Sequence, residues 1–126
     1  MKVYVLLTAL FVLFTLNASA QTQTVEKAVS VNASSYSWFE YNYEQTTTLS
    51  GRFRATGGNK NDIRVMIMDA DSFENYKNGS EFKIYYDSGR VTVSNFKATL
   101  AAGKYYLVFD NKPGWAARAV QVFLYY

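Results

Sequence analysis

From residue 24 onward, apolar side chains fall at every second position through most of the chain. A period of two marks a strand with one face turned inward, because successive side chains point to opposite sides of the pleat. "VEKAVSVN" sets Val25, Val29 and Val31 on one face. "TTTLSGRFRAT" turns Leu49, Phe53 and Ala55 inward and Arg52 and Arg54 to water. "VTVSNFKATL" repeats the pattern with Phe96, Ala98 and Leu100, "YYLVFD" with Tyr105, Leu107 and Phe109, and "AVQVFLYY" with Val120, Val122 and Leu124. "IRVMIMD" is apolar on both faces except at Arg64, as expected of a strand covered on both sides. "FKIYY" predicts a further strand, ended by a tight turn at "DSGR" where Gly89 is free to take positive φ. "GGNKND" and "AAGK" read as turns, and "ADSFENYKNGSE" as irregular chain with one helical turn after Ser72. No amphipathic helix of useful length, internal repeat or linker is expected. About eight short strands at regular spacing predict an all-β, antiparallel β-sandwich or jelly roll.

The beginning of the chain breaks this pattern. Lys2 precedes the uncharged run "VYVLLTALFVLFTL", and "NASA" follows with Ala18 and Ala20 at the small-residue positions. That order is the pattern of a cleavable export signal over residues 1–20, with the folded domain spanning residues 21–126. The apolar run is short for a retained span, so the membrane is expected only as a transient contact of this segment.

Composition narrows the compartment. The chain has no cysteine, so its single core must hold without disulfides or a lipid-bearing thiol. A Gram-negative periplasm, cell surface or secreted location fits; a disulfide-rich module does not. The net charge is +3, or +2 without Lys2, and the basic residues are scattered. A nucleic-acid binder would gather them on one face, so no such partner is expected.

Candidate chemistry is limited by what is missing. Without His or Cys there is no Ser-His-Asp or Cys-His arrangement and no ordinary zinc or copper site. No Walker loop, "GxSxG" or "GxGxxG" occurs. Only a carboxylate pair could catalyse, and the ten acids mostly fall at strand ends and turns. No catalytic activity and no cofactor are expected. "DADSFEN" offers Asp69, Asp71, Glu74 and Asn75 as oxygen ligands for calcium, but Phe73 and Glu74 break the EF-hand spacing. A cap on the following turn, from Asp71 or Ser72, accounts for the acids instead.

Aromatic side chains make up 17% of the residues. In "YSWFEYNY", Tyr36 and Trp38 share one face and Phe39, Tyr41 and Tyr43 the other. One set belongs in the core; an exposed set could stack on sugar rings or receive a partner. Near the end, "DNKPGW" interrupts two strands. Asp110 and Asn111 should close the first strand on the turn backbone, Pro113-Gly114 set the corner, and Trp115 pack back over it.

The closing stretch, "FKATLAAGKYYLVFDN" followed by "AVQVFLYY", resembles the last strands of GOLD (Golgi dynamics) domains. The matching positions are Gly103, Tyr105, Phe109, Asp110, Asn111, Trp115, Arg118, Val120 and Val122. Pro113-Gly114 stands where that family usually has a slightly longer loop with Ser and an aromatic. The run Gly103-Lys104-Tyr105-Tyr106-Leu107-Val108 is equally similar to the closing strands of bacterial pre-peptidase C-terminal domains. Both resemblances imply a sandwich with a binding or accessory role. The expectation is an exported binding module for a protein partner, with Trp38, Asn111, Trp115 and Arg118 as candidate ligand-binding residues and no metal site. The alternative is a carbohydrate-binding module that uses an aromatic sheet face to hold a glycan.

Overall fold

The computed structural model describes residues 23–57 and 61–126. The expected export signal lies outside them. Eight strands form: β1 (Thr24–Val31), β2 (Tyr36–Tyr43), β3 (Thr47–Thr56), β4 (Ile63–Asp69), β5 (Tyr86–Val91), β6 (Val93–Leu100), β7 (Gly103–Asp110) and β8 (Arg118–Tyr125). They pair antiparallel in two four-stranded sheets, ordered β1-β8-β3-β6 and β2-β7-β4-β5. This is the expected β-sandwich.

The inner faces meet in one core. Phe53, Leu100, Val122 and Leu124 of the first sheet face Ile63, Val65, Ile67, Leu107 and Phe109 of the second, all fully buried. Register follows from the alternation: Phe53 stands opposite Val122, and Leu107 opposite both Phe39 and Ile67. A slip of one residue would turn these apolar sets to water. Phe39, Tyr41 and Tyr43 join the core from β2, while Tyr36 and Trp38 face outward.

Strand β4 is covered on both sides, as its two apolar faces require. Met66 and Met68 point away from the main core and lie under a helix, α1 (Ala70–Lys77), with Phe73, Tyr76 and Val108. Here the expectation of a single turn after Ser72 is corrected. The cap is Asp69, whose Oδ1 accepts from the Ser72 N–H at 2.8 Å, so the helix begins earlier than Asp71 or Ser72 capping would allow. A helix of eight residues is marginal alone. Phe73 and Tyr76, three apart, fall on one face and bury against the sheet. Packing, rather than propensity, holds it.

The strand expected at "FKIYY" is also corrected. Phe82 and Ile84 pack on the helix cluster, and β5 is the segment read as a turn. Its ladder with β4 shifts between Arg64 and Met66. At this bulge Gly89 takes φ +62°, and the Ser88 hydroxyl accepts from the Val65 N–H at 2.8 Å. Arg64 forks onto Asp87 with bonds of 3.0 and 2.7 Å. Thr92 then carries the chain into the other sheet, its carbonyl accepting from the Ala55 N–H at 2.8 Å.

Candidate functional site

The corner between β7 and β8 is built from side-chain bonds to backbone. Asp110 Oδ1 accepts from the Lys112 N–H at 2.7 Å, closing the strand as expected. The Gly114 N–H donates to the Asn111 carbonyl at 2.9 Å, which makes the turn. Asn111 is fully buried beneath it. Its backbone N–H donates to Ser35 O at 2.8 Å, and its Nδ2 to Asn32 O at 3.1 Å and Ala116 O at 3.0 Å. The Ser34 N–H in turn reaches Gly114 O at 2.9 Å. Asn111 thus ties the corner to the loop between β1 and β2.

Arg118 fixes the other side. Its Nη1 donates to Ala116 O at 2.8 Å and its Nε to Asp62 O at 3.1 Å, while Nη2 lies 3.4 Å from Asp62 Oδ1. Arg90 Nε sits 3.3 Å from the other oxygen of the same carboxylate. The Arg90 hydrogen bond, helped by Arg118 and opposed by partial burial, holds the Asp62 carboxyl below the usual carboxylate range.

The four residues singled out by sequence therefore divide. Asn111 and Arg118 are buried, and their donors serve carbonyls and an acid of this chain, so they frame the corner instead of facing a ligand. Trp115 is 97% exposed and does not pack back over the corner. Beside it, Asn111 packs so close to Gly114 that a Cβ added there would meet the carboxamide. Trp38 is 48% exposed on the outer face of β2. Its ring lies 5.7 Å from Tyr36 and 5.4 Å from Phe73, measured between centroids.

Lys112, absent from the sequence reasoning, links the two regions. From the corner its ammonium reaches 3.9 Å from the Tyr76 ring centre and 5.4 Å from that of Tyr36. Lys112 of the corner thus lies over the aromatic cluster of Tyr36, Trp38, Phe73 and Tyr76, of which Trp38 is half exposed. Burial, aided by the Asp110 charge, pushes the Tyr76 phenol far above its usual range. Alternation in "YSWFEYNY" puts Tyr36 and Trp38 on one face, but for the helical half the sequence signal is the three-residue spacing of Phe73 and Tyr76, on a segment expected to be irregular.

Asp69, Asp71 and Asn75 of "DADSFEN" border an open cleft of about 410 Å³, which Glu74 does not line. Asp69 is engaged by the Ser72 N–H and, at 3.3 Å, by the Tyr85 hydroxyl. Among the described residues, no group of three acids is placed to hold a metal ion. Several other carboxylates are paired: Asp87 with Arg64 at 2.7 Å, Glu74 with Lys77 at 2.6 Å, and Glu40 with Lys104 at 3.5 Å.

No known family profile matches the chain, and no curated protein matches it significantly. Solved structures do. The Yersinia pseudotuberculosis-derived mitogen is similar at a TM-score of 0.55 and 8% identity, over 82% of this chain and 86% of that one. The pre-peptidase C-terminal domain of a Bacillus anthracis collagenase gives 0.49 and 10%, over 80% and 86%. The carbohydrate-binding module CBM36, solved with calcium and xylotriose, gives 0.39 and 14%, over 81% and 97%. Identities this low show a shared fold and nothing finer. On that footing the chain is an antiparallel β-sandwich, with one tryptophan held in water at the β7–β8 corner.

Proposed function

We propose that this protein is an exported, non-catalytic module that binds a protein partner through the Trp115 corner. The observation that carries the reading is Trp115 itself, 97% exposed on a corner whose backbone is tied down by Asn111 and Arg118. A fully hydrated indole adds little to folding. Tryptophan is among the side chains that dominate protein interfaces, and a pre-formed loop loses little entropy on binding. Lys112 and half-exposed Trp38 extend the surface along β2. The GOLD-like closing strands and the leader with Ala18 and Ala20 support an accessory role outside the cytoplasm. Recovery of partners from the envelope fraction tests it. The native chain should retain a partner that the Trp115→Ala variant loses; equal recovery by both removes the corner from the account.

Glycan binding is the second reading. It is favoured by the five aromatic rings that β2 carries, two facing outward and three inward. A sugar ring presents an apolar C–H face to such rings and hydroxyls to their polar neighbours.

A further inference from the structure

At the end of the sandwich away from Trp115, the two sheets part around an open cleft of about 610 Å³. A β8 length of eight residues, roughly 26 Å, separates it from the corner. Tyr43, Leu49, Tyr125 and Tyr126 supply most of its wall, with Thr47 and Thr48 at the rim. Among the described residues, no charged side chain lines it. Tyr125 and Tyr126 are 44% and 58% exposed. The volume lies within the usual range for small-ligand sites, roughly 300–1,000 Å³.

A second, independent feature sits beside it. Tyr41 stacks on Tyr43 with ring centres 6.1 Å apart and planes at 11°. Its hydroxyl is buried with no hydrogen-bond partner. Burial, with the neighbouring Tyr126 and Tyr43, pushes that phenol far above its usual range. Tyr41 lies behind the wall, and its ring stack backs Tyr43, which lines the cleft.

We infer that this cleft binds a neutral saccharide unit, stacked on Tyr43 and Tyr126 and hydrogen-bonded by tyrosine and threonine hydroxyls. The inference rests on the glycan reading above and moves its seat from the β2 sheet face to the end of the sandwich. The chemistry of the lining selects the ligand. An ion finds no counter-charge there. A wholly apolar ligand would strip water from hydroxyls without replacing their bonds. A sugar satisfies both kinds of surface. Thr47 donates to Gln45 O at 2.9 Å and Thr48 shares a 3.1 Å bond with Thr99, which leaves lone pairs on both rim oxygens for ligand hydroxyls.

Backbone amide shifts of the isotope-labelled full chain, titrated with xylohexaose, cellohexaose, laminarihexaose, mannohexaose and their monosaccharides, test the inference. At least one hexaose should shift Thr47, Thr48, Leu49 and Tyr125. Tyr126→Ala should weaken that binding about tenfold, and Trp38→Ala should leave it within about twofold. Tyr125→Ala serves as a second variant, each checked for a native amide spectrum. Tighter binding of the hexaose than of its monosaccharide indicates a polymer as source; equal binding indicates a free sugar. Shifts centred on Tyr36 and Trp38 would keep glycan binding and overturn this site. No shift with any saccharide up to about 10 mM overturns both. Occupation of the cleft by naphthol but by no saccharide overturns the ligand class.

Discussion

Asn111 and Gly114 occupy one space: the Asn111 carboxamide passes where a side chain on residue 114 would begin. The Gly114 N–H bonds back to the Asn111 carbonyl at 2.9 Å, so turn and filler are one unit. Asn111→Ala strands the Asn32 carbonyl and leaves Ala116 O only its Arg118 donor, and should cost about 1–3 kcal/mol. Gly114→Ala should destabilise as well, by forcing the amide aside. Chemical unfolding of both variants checks this; native midpoints would show that the corner is not held this way.

Trp115→Ala should behave in the opposite manner. With the indole 97% in water, its removal should change stability by no more than about 0.5 kcal/mol. Trp115→Phe should remove the long-wavelength, readily quenched part of the tryptophan emission and leave that of Trp38. A blue-shifted, quencher-resistant Trp115 signal would mean that the ring packs after all.

Gly51 tests the packing between sheet and core. A Cβ there would collide with the Phe123 carbonyl on the neighbouring strand and with the Phe96 ring. Neither can swing away freely, so Gly51→Ala should cost about 1–3 kcal/mol or more in thermal unfolding.

Acid should weaken the fold through paired carboxylates. The Arg90 hydrogen bond lowers the Asp62 pKa, and the Arg64 hydrogen bond lowers that of Asp87. A depressed folded pKa contributes stability that is complete above the unfolded value, about 4, and is lost as pH falls through the folded one. Unfolding midpoints should therefore drop below about pH 4, and Asp62→Asn should flatten the drop while lowering stability at neutral pH. An unchanged pH profile in that variant would remove Asp62 from the account.

Much of the sandwich can be read in the chain because β3, β6 and β8 alternate cleanly, and alternation survives whatever the partners are. The failures share a cause. Helix α1 exists through its contact with Met66, Met68 and Val108, and no local pattern of eight residues announces that contact. β5 carries Asp87, Ser88, Gly89 and Arg90, ordinary turn residues that become an edge strand only because β4 supplies a ladder and the bulge absorbs Gly89. At the corner, residue types pointed to the correct loop but not to the division of labour within it. Asn111 and Arg118 look like ligand-binding groups until their bonds to Ala116 and Asp62 are seen. Trp115 looks like a packing residue until its exposure is seen.

The most direct test of the binding account is position-specific photocrosslinking in the cell envelope. A benzophenone amino acid is placed at residue 115 and, for comparison, at residue 54 on the polar outer face of β3. The account predicts a discrete crosslinked partner from position 115 and none from position 54. No product at 115, or the same products from both positions, would contradict it.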